Sequence, residues 1–315
     1  MTEFELISRL KPLLPRTPLV VHGAGDDCAV LSAPLPGNEL LFKTDAVVEG
    51  FHFLADTEPE RVGRKALARC LSDIAAMGGT PTAAVVTLGL PPGYNPDRVE
   101  GIYRGLRALA EAHDVAIVGG ETTTNPDRLL ISISLLGTVA AGRAVLRTGA
   151  RPGDALFVTG ELGGSIHGHH LDFEPRLREG RWLAGSGMIH SMIDVSDGLA
   201  GDLPHLLGSG APGEPVIGAE LLKSAIPIRR AARLGARSSD SAKPPIVAAL
   251  TDGEEFELLF TVAPRDAVDI LDGWRSAFPD VPLACIGKIT DRPGIWLCGE
   301  DGMRPMIGKG YEHFR

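Results

Sequence analysis

Acidic side chains recur in short glycine-rich or strand-end settings along this sequence. They stand at Gly25-Asp26-Asp27, Thr44-Asp45, Ser72-Asp73, Gly119-Gly120-Glu121-Thr122, Asp194-Val195-Ser196-Asp197-Gly198 and Asp252-Gly253-Glu254-Glu255. Carboxylates gathered this way repel one another unless they are protonated or share cations. Oxygen ligands with no accompanying His or Cys favour Mg2+, Mn2+ or Ca2+ over zinc. Several of these acids follow apolar, strand-like runs, where α/β proteins commonly place ligands. Each also has a plainer reading when taken alone. An Asp-Gly pair is often a turn, and Asp197-Gly198 fits the first turn of a helix with an acid at its positive end. Asp73 fits an ion pair with Arg69 one helical turn back. The sequence has no G-x-x-x-x-G-K-[ST] loop and no G-x-G-x-x-G opening a helix, and Gly160–Ser165 reads as a structural turn. A nucleotide bound here would have to be held through metals.

Composition narrows the function classes. The chain has 315 residues, 31 Lys+Arg against 40 Asp+Glu, and a formal charge of −9. That balance argues against nucleic acid or an anionic membrane as partner, since both need clustered Lys and Arg. Hydrophobic residues at 44% and charged residues at 23% are the proportions of a globular protein with a sizeable core. No apolar run approaches the roughly 20 residues of a membrane span. Cys28, Cys70, Cys285 and Cys298 form no C-x-x-C pair, and acids stand in the first five residues where an export signal carries bases. Both features point to a reduced, cytoplasmic setting.

The elements that must position the acids read as mixed α and β. Strands are expected at Leu40–Lys43, Ala83–Leu90, Ala116–Val118, Leu130–Val139, Ala155–Thr159, Met192–Asp194, Glu257–Val262 and Leu283–Ile289. Thr57-Glu58-Pro59-Glu60 reads as a capping box opening a helix toward Met77, with Leu67, Cys70, Leu71, Ile74 and Met77 on one face and Asp73 on its flank. Asn95-Pro96 opens a helix running to about His113, and further helices are expected from Ser196 and over Arg265–Phe278. A Gly/Pro-rich connector at Arg147–Asp154 divides the chain into domains 1–146 and 147–315, and Ser238–Pro245 reads as a polar loop.

The acidic blocks occur in order with Glu49-Gly50-Phe51-His52-Phe53, Lys65-Ala66-Leu67, Leu71–Gly78, Arg147 and Gly310-Tyr311-Glu312-His313-Phe314. As a set spanning nearly the whole chain, they resemble the thiamine-monophosphate kinase family, part of the superfamily that includes aminoimidazole ribonucleotide synthetase. The resemblance implies two α/β domains, with N-terminal ATP/Mg-binding domains pairing in a homodimer to form a central β-barrel. It implies ATP-dependent phosphorylation of thiamine monophosphate to thiamine diphosphate. By position, it implies Mg2+ ligands at Asp27, Thr44, Asp45, Asp73, Glu121, Asp194 and Asp197, with Asp45, Asp73, Asp194 and Asp197 catalytic. ATP contacts fall at Gly120, Glu121, Arg147 and Ser196, and thiamine phosphate contacts at His52, Glu254 and Tyr311. His52, between two Phe on an expected strand, suits hydrogen bonding to the pyrimidine.

Four departures from the family pattern stand out. Glu121 replaces an Asp, Lys43 precedes Thr44 where a small hydroxyl residue is usual, and Gly-Gly-Glu-Asp-Tyr-Glu becomes Asp252–Glu257. Gly164–Ile189 reads as a trimmed helix of the second domain. A fixed Lys43 charge would replace or exclude one metal. The alternatives carried forward are a nucleotide- or thiamine-phosphate-binding protein without catalysis and another ATP-dependent enzyme of the same superfamily. Selenophosphate synthetases and the hydrogenase-maturation relatives fit worse, because Cys28 follows the Asp pair and the chain ends His313-Phe314-Arg315.

Overall fold

The computed structural model describes residues 20–22, 26–32, 36–208, 216–235 and 243–306. The chain divides into two compact units, one of Thr17–Ala144 with His170–Arg181, the other of Val145–His169 with Trp182–Arg315.

The first unit runs β1 (Val20–His22), β2 (Ala29–Ser32), β3 (Asn38–Val48), α1 (Pro59–Ala76), β4 (Thr80–Leu90), α2 (Pro96–Ala112), β5 (Ala116–Thr124) and β6 (Leu130–Ala140). Its six strands lie in the order β1-β2-β3-β6-β4-β5. Only β4 and β5 pair in parallel, with α2 as their crossover. Strict alternation in β3, β4 and β6 sends Leu41, Val47, Ala84, Val86, Leu88, Ile131, Ile133 and Leu135 to one buried face. The opposite face leaves Phe42 (43%), Val85 (40%) and Leu136 (36%) exposed. No strand pairing closes this sheet into a barrel among the described residues.

Helix α1 is buried on nearly every side, not only along the expected stripe. Leu67, Cys70, Leu71, Ile74 and Met77 are buried, as are Ala66, Ala68, Ala75, Ala76 and Asp73 itself. Glycines let α2 approach. A Cβ at Gly63 would stand 1.9 Å from the Ile102 carbonyl oxygen, and one at Gly105 1.8 Å from that of Glu60. The capping box does not form. Glu58 precedes the helix without a side-chain cap, the Thr57 hydroxyl accepts from Leu54 N–H at 3.1 Å, and Glu60 pairs with Arg104. Thr57 is committed to the preceding turn. Asn95 does cap α2, accepting from Asp97 N–H at 2.9 Å.

The second unit contains β7 (Ala155–Thr159), β8 (Ile189–Asp194), α5 (Leu199–Leu206), β9 (Gly218–Leu222), α6 (Arg230–Gly235), α7 (Pro245–Thr251), β10 (Leu258–Val262), α8 (Ala267–Ala277), β11 (Leu283–Thr290), β12 (Gly294–Gly299) and β13 (Gly302–Pro305). Two short helices precede β8, α3 (His169–Asp172) and α4 (Leu177–Ser186). The seven strands lie in the order β13-β12-β9-β11-β7-β10-β8, parallel only between β12 and β9. Leu156, Val158, Ile193, Leu199, Leu203, Leu221 and Leu259 form its core with Ile286 and Ile289. The stretch Gly164–Ile189 is more divided than expected, for His170–Arg181 packs with the first unit. There Arg61 bridges to Asp172, and Arg64 donates to the Phe173 carbonyl at 2.7 Å. The helix expected from Ser196 begins at Leu199, leaving 195–198 as a loop after Asp194 ends β8.

Candidate active site

In the first unit, alternation along β3 sends Lys43 and Asp45 to the face that α1 covers. The two Cα positions are about 6.8 Å apart along a strand. On α1, Arg69 and Asp73 stand four residues apart, about 6 Å along a helix. The spacings match, and two ion pairs cross between the elements. Lys43 Nζ lies 2.9 Å from Asp73 Oδ1, and Arg69 Nε lies 3.1 Å from Asp45 Oδ2. Asp73 therefore pairs across to β3, a partner that the helical spacing alone does not reveal. Burial acts to lower the Lys43 pKa, but Asp73 and Asp45 outweigh it and hold the ammonium charged. Burial likewise acts to raise Asp45, and Arg69 and Lys43 outweigh it to keep the carboxyl below its ordinary 3.8.

Asp27 enters the same cluster from the turn before β2. Carboxylate oxygens of Asp27 and Asp73 come within 4.8 Å of each other. Two buried carboxylates at this separation are a donor pair suited to a hard divalent cation. Neighbouring Cys28 does not join them. Burial and the Asp73 charge push its thiol pKa well above the ordinary value, and its N–H donates to Met77 Sδ.

Thr44 and Glu121 lie elsewhere. Thr44 alternates to the open face of the sheet, where its hydroxyl accepts from Ser134 Oγ at 3.1 Å. Glu121 is exposed at a register position beside Thr87, on the same open face. Gly120 has a structural reason to be glycine, because a Cβ there would stand 1.8 Å from the Val86 carbonyl oxygen. That close approach carries β5 through the Gly-Gly-Glu-Thr block to Thr124, well past the expected end at Val118.

His52 lies in a turn and not on a strand. Gly50, at φ +81°, curls the chain after β3, and His52 N–H donates to the Val48 carbonyl at 3.0 Å. Its Nδ1 accepts from Val48 N–H at 3.1 Å, so in the neutral ring Nε2 carries the hydrogen and is a donor. The buried Lys65 donates to the His52 carbonyl, fixing this turn to α1.

In the second unit, β8 and β10 extend their pairing into two loops. Val195 N–H donates to the Glu257 carbonyl at 2.8 Å, Phe256 N–H to Val195 at 2.7 Å, and Glu254 N–H to Ser196 at 2.6 Å. Ser196, Asp197 and Glu254 are thereby brought into neighbouring loops, beside Asp194 at the end of β8. Gly198 and Gly253 permit the approach, since a Cβ would stand 2.7 Å from the Asp252 carbonyl oxygen and 2.8 Å from that of Ser196, respectively. Glu254 and Phe256 hold φ of 62° and 52°, a cost that the surrounding bonds must offset. The Gly160–Ser165 turn supplies several of them. Gly163 N–H donates to Glu255 Oε1 at 2.6 Å, Gly164 N–H to Asp252 Oδ2 at 2.9 Å, and Ser165 Oγ to the Gly253 carbonyl at 2.6 Å. These donors serve the protein itself, in keeping with a structural turn. Arg229 pairs with Glu255, whose carboxyl burial pushes up to about 7 against the pull of that guanidinium and Gly163 N–H. Arg147 lies beside Leu146, whose carbonyl accepts from Met192 N–H of β8 at 3.1 Å. Burial and the Arg147 charge lower the His205 pKa to about 4.

Residues 25–139 match the family described as AIR synthase related protein, N-terminal domain. A thiamine-monophosphate kinase of Rhodopirellula baltica is 39% identical over 301 residues, covering 93% of this chain and 91% of its own length. The chain belongs to the thiamine-monophosphate kinase family. A second relative so named, from Salmonella typhimurium, is 35% identical over 99% of this chain and 98% of its own. The solved structure of AaThiL complexed with AMPPCP and TMP superposes with a TM-score of 0.82 at 29% identity, covering 99% of this chain and 97% of that one.

For a member of this family, the sequence reading missed the cations that hold the acids. Arg69, Lys65 and Arg229 were not singled out as partners of Asp45, His52 and Glu255. A signal for the first existed in the matched spacings of 43/45 and 69/73. Asp202, which accepts from Asp197 N–H at 2.9 Å, was also missed, though an acid in a helix's first turn is a familiar capping pattern. Tyr311 and Gly25 lie outside the described residues, as does 238–242 of the expected polar loop.

Proposed function

We propose that this chain phosphorylates thiamine monophosphate with ATP, yielding thiamine diphosphate and ADP. The observation that carries this reading is its end-to-end similarity to thiamine-monophosphate kinases, at 39% identity over 93% of the chain for the Rhodopirellula baltica relative. The likeness to AaThiL complexed with AMPPCP and TMP supports ATP and thiamine monophosphate as the two substrates.

In the reaction, an oxygen of the acceptor phosphate forms a bond to the γ-phosphorus as the bond from that phosphorus to the bridging oxygen breaks. ADP leaves with the electron pair. A phosphate monoester has a second pKa of about 6, so the acceptor is already largely ionised at pH 7 and needs no general base. The obstacle is holding two anions in line. Mg2+ supplies charge neutralisation between them when bound. Its proposed ligands are Asp27, Asp45 and Asp73 in the first unit and Asp194 and Asp197 in the second. The paired carboxylates of Asp27 and Asp73 support this donor set. The His52 Nε2–H is a suitable donor to a pyrimidine nitrogen, and Glu254 and Tyr311 are assigned to the same substrate. Arg147 and Ser196 are assigned to the nucleotide.

On the open sheet face, Thr44 is assigned to metal and Glu121 to metal and nucleotide, with Gly120 beside it also assigned to the nucleotide. The exposed Phe42, Val85 and Leu136 on that face support its pairing with a second copy as a homodimer. Residues 1–146 are proposed as the ATP/Mg-binding and dimerisation domain and 147–315 as the second α/β domain. A cytoplasmic setting fits four cysteines that are all free thiols. No helix among the described residues is long and apolar enough to cross a membrane.

The test is incubation with ATP, Mg2+ and thiamine monophosphate, followed by chromatographic assay of thiamine diphosphate. Product at a rate dependent on all three is expected. Tight binding of both substrates without product would replace this reading with that of a non-catalytic binding protein.

A further inference from the structure

Three carboxylates, Asp27, Asp45 and Asp73, meet two protein cations, Lys43 and Arg69, between β3 and α1. The charges sum to −1. We propose that Lys43 is a resident cation of this acidic cluster, its ammonium taking a place beside Asp73 and Asp45 that would otherwise hold a divalent ion. The inference deepens the magnesium reading above and rests on it.

The geometry argues for replacement over coexistence. Lys43 Nζ sits 2.9 Å from Asp73 Oδ1, and the Asp73 side chain is only 9% exposed, so that oxygen's approach from β3 is filled. A divalent ion bound there would stand against the ammonium, with like charges in a poorly hydrated setting. Asp73 also offers a carboxylate oxygen within 4.8 Å of one of Asp27, where the two acids form a donor pair for a cation. The inference is therefore selective: one position is filled by the chain, and the Asp27 side remains for metal. Register fixes this arrangement. Lys43 lies between the buried Leu41 and Val47 on the helix-facing side of β3, so its stem cannot swing to the open face without breaking the alternation.

The experiment counts Mn2+ bound to the full-length chain by equilibrium dialysis, comparing the natural protein with Lys43→Thr, Lys43→Gln and Lys43→Arg. Lys43→Gln keeps most of the stem's packing and guards against misfolding of the smaller variant. The neutral variants are expected to bind about one Mn2+ more per chain than the natural protein, with Lys43→Arg unchanged. A second reading uses stability: the neutral variants should lose melting temperature without metal and regain it on adding Mg2+, more than the natural protein gains. Equal Mn2+ counts and equal Mg2+ stabilisation in all four proteins would overturn the inference while leaving the magnesium reading intact. A natural protein that binds no Mn2+ would overturn both. Unchanged counts with a raised KM for ATP in the neutral variants would overturn it in favour of direct contact between Lys43 and a phosphate.

Discussion

The two units handle their acids differently. In the first, Asp45 and Asp73 are met by side-chain cations carried on the facing element, Arg69 on α1 and Lys43 on β3. In the second, acids bond to groups of neighbouring loops even where they also meet a cation, as Asp252 does with Lys243 and Glu255 with Arg229. Asp202 accepts from Asp197 N–H, Asp252 from Gly164 N–H and Glu255 from Gly163 N–H, and Glu257 takes the Thr159 hydroxyl at 2.7 Å. Neutralising a carboxylate held by a side-chain cation on the facing element strands no loop N–H. Removing one that satisfies a buried N–H strands the donor. Charge in the first unit is thus available for chemistry, and much of the charge in the second is committed to holding loops in place.

The largest expected effect tests the first half of that contrast. Asp45→Asn keeps shape and removes charge, so thiamine diphosphate formation should fall by at least about 100-fold, the scale of losing one charge-stabilising contact in the transition state. Its stability cost should stay on the order of 1–3 kcal/mol, from the weakened Arg69 contact. Turnover close to that of the natural protein would refute Asp45 as a metal ligand. Glu255→Ala tests the other half. It strips the acceptor from Gly163 N–H and the partner from Arg229, which should cost about 3 kcal/mol in chemical denaturation. The fraction that remains folded should keep kcat within about ten-fold. A variant as stable as the natural protein, with turnover abolished, would reverse the roles given to the two units.

What was legible in the sequence follows the same line. Strand alternation in β6, the exact span of Ala155–Thr159 and the Asn95 cap are local patterns, and local rules found them. A partner of Asp73 is not local. The i−4 rule offers Arg69, but Lys43, 30 residues away, reaches Asp73 only once β3 packs on α1. His52 misled because Phe-His-Phe alternates like a strand, whereas Gly50 two residues earlier takes a left-handed turn. The Gly119-Gly120 block hid the length of β5, since glycine gives no strand signal; only the Val86 carbonyl in the next strand explains it. The acidic blocks themselves were plain. The partners that hold each of them were not, because those depend on which donors the fold brings near.

The smallest effect concerns pH and separates the units by the window in which each loses stability. In the first, Asp45 sits below its ordinary 3.8, so its contribution is present above that pH and is lost only as pH falls through the lowered value. In the second, His205 is held down to about 4 by burial and by Arg147, while the unfolded chain titrates near 6.5. Between those values the unfolded state binds the proton first. The contribution of His205 is therefore complete above about 6.5 and drains away as pH falls toward 4, by on the order of 1–3 kcal/mol. Glu255 acts with the opposite sign. Its pKa, raised to about 7, favours the folded state more as pH drops from 7 toward 4.5, so the raw stability curve mixes two opposing slopes. His205→Asn isolates one of them. The difference in unfolding free energy between natural protein and variant should be flat above pH 7 and change steadily between 6.5 and 4, with the variant relatively more stable in acid. Parallel curves across that window would mean that His205 gains its proton as readily in the folded chain as in the unfolded one, and that the Arg147 charge does not reach it.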